Sequence, residues 1–77
     1  MQYQVECTDT FGGEANYSWV RRATIEAPDN ASTHTLMRRA RKALGLEGVR
    51  GRVSTIGETL EFRPYGCCTV LFVTPEY

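Results

Sequence analysis

The chain has 77 residues, 42% of them hydrophobic and 10% aromatic, with nine Lys and Arg against nine Asp and Glu. That length makes one small domain, residues 1–77, with no room for a separate catalytic domain, and the apolar content argues against intrinsic disorder. The cysteines, Cys7, Cys67 and Cys68, are odd in number with one vicinal pair, and no apolar stretch approaches the roughly 20 residues that span a bilayer, so a reduced, cytoplasmic protein without a membrane partner is expected.

From Gln2 to Thr8 the residues alternate, Tyr3, Val5 and Cys7 against Gln2, Gln4, Glu6 and Thr8, as in a half-buried strand. Gly12-Gly13 then permits a reversal, and Asn16 to Glu26 reads as the second strand of a hairpin, with Tyr17, Trp19, Ala23 and Ile25 on one face and Arg21 among them. Pro28-Asp29-Asn30 ends that strand. Ser32 or Thr33 can cap a helix from about Thr33 to Leu44, which Gly45 stops. Around that helix Leu36, Met37, Ala40, Ala43 and Leu44 form an apolar arc, and His34, Arg38, Arg39, Arg41 and Lys42 occupy the remainder. Val49 to Ile56 predicts a third strand interrupted by Gly51, with Arg50, Arg52 and Ser54 facing away from Val49, Val53 and Thr55. Gly57-Glu58 is a turn, Thr59 to Arg63 a fourth strand, and Pro64-Tyr65-Gly66 its break. The last run, Cys67 to Thr74, is apolar on both faces, which predicts an interior place in the sheet or a covered edge. The fold class is therefore α+β: an antiparallel β-sheet with one helix packed on one face, in the order ββαβββ.

Net neutrality conceals a strong segregation. Arg38, Arg39, Arg41, Lys42, Arg50 and Arg52 lie within fifteen residues whose sole acid is Glu47, a formal +5, so the other 62 residues carry −5. Guanidinium groups bind carboxylate or phosphate bidentately, so a cationic face left unneutralised points to a charged macromolecular partner. The plain alternative is a solvated helix face, helped by the helix dipole, which favours cations near the C-terminus. Tyr17, Trp19, Phe62 and Tyr65 read as core aromatics before they read as base-stacking platforms. Phe11, beside two glycines, reads as an exposed anchor for a partner. Asp9, Glu14, Glu58 and Glu61 would form an acidic patch if their loops met at one end of the sheet. His34 has no acidic or cysteine neighbour, Gly12-Gly13 lacks the Lys-Ser/Thr of a phosphate loop, and no cysteine has a histidine nearby in sequence. Hence neither an enzyme nor a cofactor is expected.

The run from Thr8 to Arg22, containing Phe11-Gly12-Gly13-Glu14-Ala15-Asn16-Tyr17-Ser18-Trp19, together with Glu61-Phe62-Arg63-Pro64-Tyr65-Gly66 and Val70-Leu71-Phe72-Val73, resembles a family of short accessory proteins encoded by tailed bacteriophages and prophages. Size, organisation and phage character are also similar to anti-CRISPR proteins, particularly inhibitors of type I effector complexes. That resemblance implies a stoichiometric inhibitor binding a host protein or ribonucleoprotein complex. From charge and exposure, its contact residues would be Arg38, Arg39, Arg41 and Lys42, with Arg50 and Arg52 beside them and Phe11 as anchor. The other reading is a small nucleic-acid-binding module that places the same cations on phosphates. The chain is expected to be a monomer or a weak dimer, since an exposed edge strand can pair two copies.

Overall fold

The alternation along β1 (Gln2–Phe11) carries through to the computed structural model, which describes residues 1–76: Tyr3, Val5 and Cys7 are buried on one face and Gln2 and Gln4 exposed on the other. The elements that follow are β2 (Glu14–Glu26), α1 (Thr33–Ala43), β3 (Gly51–Ile56), β4 (Thr59–Pro64) and β5 (Thr69–Glu76), in the expected ββαβββ order. All five strands join one sheet in the spatial order β2-β1-β5-β4-β3, and every neighbouring pair is antiparallel. The doubly apolar β5 takes the central position, where Val70, Leu71 and Val73 are all buried. Among the described residues no helix is long and apolar enough to cross a membrane.

Helix α1 lies across one face of the sheet. Ser32 caps it, its Oγ accepting a 3.2 Å hydrogen bond from the Thr35 amide. At the other end the Leu46 amide donates to the Arg41 carbonyl (2.7 Å) and the Gly45 amide to Lys42 (3.2 Å), with Gly45 at φ +75°. This Schellman closure requires the left-handed conformation that glycine adopts without a Cβ clash. Leu36, Met37, Ala40 and Leu44 meet Val5, Cys7, Ile25, Leu60, Phe62, Leu71 and Val73 in one core. Ala43, expected on the apolar arc, is exposed. Burying side chains of this size stabilises by about 1.5–3 kcal/mol each, so this face supplies most of the driving force for folding.

Gly51 is fixed by close approach. A Cβ there would lie 2.6 Å from the Phe62 ring and against the Arg63 carbonyl, so the ring of Phe62 occupies the space that a side chain at position 51 would take.

The first hairpin departs from regular pairing. Thr8 pairs with Val20 and Thr10 with Ala15, so Asp9 alone faces the four residues Asn16, Tyr17, Ser18 and Trp19. Two short polar side chains hold this bulge. Asp9 accepts from the Ser18 amide and from Asn16 Nδ2, both at 2.9 Å. The buried Thr8 hydroxyl accepts from the Tyr17 amide (3.0 Å) and donates to the Trp19 carbonyl (2.9 Å). Tyr17 is thereby held at φ +57°, a conformation that strains a non-glycine residue by about 1–2 kcal/mol.

Candidate interaction surface

The six cations singled out in the sequence do not form one ridge. Arg38, Arg39 and Lys42 are exposed on α1 and line a shallow groove with Glu47 and Gly48. Among the described residues none of the three lies within ion-pair distance of a carboxylate; the ion pairs there are Met1 with Asp29, Arg22 with Glu6, and Arg63 with Glu61. Arg39 Nη1 donates to the Glu26 carbonyl at 2.7 Å, which steadies its guanidinium beside the end of β2 without neutralising it.

Arg41 corrects the expectation of an outward side chain. Its Nη1 donates to the Val49 carbonyl at 2.9 Å, its Nε to Met37 at 3.4 Å, and its guanidinium stands 5.1 Å from the centroid of the buried Phe62 ring. A planar cation with a five-donor fork suits this position, because one side chain can bridge a loop carbonyl and cover an aromatic face. Arg41 fastens the segment between α1 and β3 to the core and so leaves the contact face.

Arg52 is likewise separated from the helix cations. It pairs across β3 and β4 with Arg63, whereas the neighbouring Val53 pairs with the core residue Phe62, so Arg52 projects from the sheet face that α1 does not cover. Arg63 is engaged there by Glu61 (2.7 Å) and by the Gly13 carbonyl (2.6 Å).

Arg50 and Phe11 lie instead at the same end of the sheet, on either side of the turn at 65–68. The Tyr65 amide donates to the Arg50 carbonyl and the Thr10 amide to the Cys68 carbonyl, both at 3.0 Å. The turn at 65–68 thus holds the Arg50 segment on one side and the tip of the first hairpin on the other. Phe11 is 80% exposed and Tyr65 68%, and Cys67 and Cys68 between them are free and exposed. Phe11 is exposed as expected, and Tyr65, expected to pack in the core, is exposed at the same end of the sheet.

Two further expectations are overturned. Tyr17 and Trp19 are 53% and 43% exposed, because the bulge at Asp9 carries them out of register with Ala23 and Ile25. Tyr17 instead borders a shallow cleft on the open face of the sheet with Gln4, Glu6, Thr59, Phe72 and Thr74. The acidic patch does not form: Asp9 and Glu14 belong to the first hairpin, and Glu58 occupies the β3–β4 turn at the opposite end.

Two groups have shifted proton affinities. Hydrogen bonds from Ser18 first, then Asn16, hold the Asp9 carboxyl well below the usual carboxylate range. Burial pushes the Cys7 thiol up, against a smaller opposing influence from the Arg21 charge. Both shifts have structural causes, the bulge and the core. The surface presents three cations on the helix that lack a carboxylate partner among the described residues and, at the sheet end that also holds Arg50, two exposed aromatics.

No protein-family model, curated protein or solved structure matches this chain.

Proposed function

We propose that this chain is a phage-encoded stoichiometric binding protein that inhibits a host defence complex, specifically an anti-CRISPR protein that blocks target-DNA binding by a type I surveillance complex. The observation that supports this reading most is the outer face of α1, where Arg38, Arg39 and Lys42 stand without a carboxylate partner among the described residues. Arg38 and Lys42 are one helical turn apart, and like charges at that spacing weaken a helix by a few tenths of a kcal/mol. A partner of opposite charge turns this repulsion into attraction and speeds the encounter. The dipolar charge distribution gives such an inhibitor two working sides. The helix cations grip an acidic surface of an effector subunit, and the net-negative remainder lies toward the cationic path that any DNA-binding assembly must present to a polyanion. Phe11 and Tyr65, with Arg50, supply a second contact at the sheet end. The resemblance to short phage accessory proteins sets the biological context.

The test is co-purification with recombinant type I effectors, together with target-DNA binding by the effector at increasing ratios of the chain. The wild type should co-elute and abolish DNA binding at one copy per site, and Arg38→Glu/Arg39→Glu/Lys42→Glu should do neither while keeping its fold. Absence of co-elution across type I subtypes, with no protection of phage in a CRISPR-immune host, would overturn the proposal. A mobility shift of free DNA or RNA that collapses with salt would instead identify a nucleic-acid-binding module.

A further inference from the structure

An antiparallel sheet in an open arrangement has two edges, and this one treats them differently. Strand β2 carries the four-residue bulge opposite Asp9 and the charged residues Arg21, Arg22 and Glu26, which make it a poor template for another strand. Strand β3 has no bulge and a single charged residue, Arg52. It pairs with β4 at every position from Gly51–Pro64 to Ile56–Thr59 without a register shift, and it contains no proline.

Three observations say which backbone groups of β3 face outward. The Arg50 carbonyl accepts from the Tyr65 amide. Pro64, opposite Gly51, has no amide hydrogen to donate. The two-residue turn Gly57-Glu58 closes on the pair Ile56–Thr59. In an antiparallel ladder hydrogen-bonded and non-hydrogen-bonded pairs alternate, so Arg52, Ser54 and Ile56 bond to β4, and Gly51, Val53 and Thr55 direct their amides and carbonyls to the open edge. Beside these groups Val53 and Ile56 are 43% and 58% exposed.

We propose that a second copy of this chain occupies that edge, the two β3 strands pairing antiparallel about a two-fold axis at Val53. The register is dictated by the outward groups. Centred on Val53, it sets Val53 against Val53 of the second copy and Gly51 against Thr55 of the second copy, so every outward amide and carbonyl meets a partner. Centring on Ser54 would send Gly51 against the turn at Gly57, and centring on Arg52 would send Thr55 against Val49, which lies outside the strand. The same register keeps like charges apart: Arg52 faces Ser54 of the second copy, and Arg50 faces Ile56, which its aliphatic stem can cover. Because the bulged β2 edge accepts no further strand, the assembly closes as a dimer and does not extend into a filament.

Sedimentation velocity and light scattering over a concentration series test the proposal, with far-UV circular dichroism to confirm folding. The wild type should pass from 8.7 kDa to twice that mass and plateau there. Val53→Asp and Val53→Lys should each remain monomeric, because like charges then oppose each other at the axis, and an equimolar mixture of the two should regain the dimer. Thr55→Pro removes an outward amide and no bond to β4, and should also give the monomer. The charge-reversed helix variant should dimerise like wild type, which separates this interface from the proposed partner surface. The inference fails if the wild type stays at 8.7 kDa at every concentration, if either single Val53 variant still dimerises, or if the mass rises without a plateau.

Discussion

Arg41 lies in the middle of a basic helix yet points back into the molecule, so Arg41→Ala separates the cation that holds the fold together from those that face solvent. The change removes a charged hydrogen bond to the Val49 carbonyl at 2.9 Å, worth about 1.5–3 kcal/mol for a well-formed bond of this kind. It also removes a guanidinium 5.1 Å from the Phe62 ring, a contact worth about 0.5–1 kcal/mol at a partly exposed site. Better helix propensity for alanine and relief from the neighbouring cations return a few tenths of a kcal/mol each. A net loss of about 2 kcal/mol remains, a large share of the roughly 5 kcal/mol that stabilises a domain of this size.

At about 4–8 °C per kcal/mol for a chain of 60–100 residues, thermal melts followed by far-UV circular dichroism should show Arg41→Ala unfolding about 10 °C below wild type. Arg38→Ala and Lys42→Ala, whose side chains face solvent, should stay within about 0.5 kcal/mol of wild type. Arg41→Lys should fall between, since it keeps the charge but loses the planar fork that reaches both the ring and the carbonyl. If Arg41→Ala melts together with Arg38→Ala and Lys42→Ala, the guanidinium does not fasten the loop and the division of the basic cluster is wrong. The outcome also governs how the proposed partner surface is probed. A charge reversal that includes Arg41 would confound lost binding with lost folding, so the clean reagent changes Arg38, Arg39 and Lys42 alone.

Gly51→Ala places a methyl against the Phe62 ring and the Arg63 carbonyl and should cost about 1–3 kcal/mol in urea titrations; an unchanged midpoint would mean that the ring moves aside freely. Under native conditions a thiol reagent should modify Cys67 and Cys68 within minutes and leave Cys7 intact until denaturant is added, because Cys7 is buried and its thiol is held protonated; early labelling of Cys7 by mass spectrometry would contradict its place in the core. The depressed proton affinity of Asp9 stabilises the fold above the unfolded carboxylate value of about 3.9, and that contribution fades as the pH falls below it toward the folded value. Asp9→Asn should therefore show a shallower acid limb of stability than wild type, and parallel limbs would mean that the bulge does not depend on the ionised carboxylate.

The order of elements was legible because each local signal agreed with the tertiary arrangement. Alternation along Gln2 to Cys7 matched a sheet with one covered face, and the doubly apolar final run matched a central strand. Ser32 and Gly45 marked the ends of the helix by capping chemistry that acts within a few residues. Phe11 could be read as exposed because two glycines beside it leave nothing local to pack against. The exposure of Tyr17 and Trp19 could not be read from periodicity, since the four-against-one bulge shifts the alternation partway along β2. A trace of it is present in the sequence. Thr8 and Asp9 have short polar side chains that bond to backbone across the hairpin, Asn16 adds a side-chain bond to Asp9, and their coincidence marks a site where such bonds can replace the ladder. Arg41 escaped the helical wheel for a different reason. A wheel assigns direction to Cβ, and a long side chain that leaves the helix sideways can still turn under a following loop.

How the acids are employed sharpens the charge asymmetry beyond what formal counting conveys. Glu6 and Glu61 are engaged by Arg22 and Arg63, two of the three arginines outside the basic segment, and Asp9 is held by uncharged donors within the bulge. Among the described residues the basic segment receives no such compensation, for its sole acid, Glu47, borders the groove of Arg38, Arg39 and Lys42 without pairing to any of them. Within the segment, Arg41 is bound by two carbonyls and a ring, none of which carries a formal charge, so its positive charge persists beneath the exposed three. The inward arginine therefore contributes to the potential of the helix face without touching a partner. Screening over about 8 Å at physiological salt weakens that contribution across a helix about 10–12 Å wide, and low salt restores it. Arg41→Gln should accordingly slow association with the proposed acidic partner, most visibly at low salt, even when measured at a temperature where the variant is fully folded. An association rate unchanged at low ionic strength would confine recognition to the three exposed side chains.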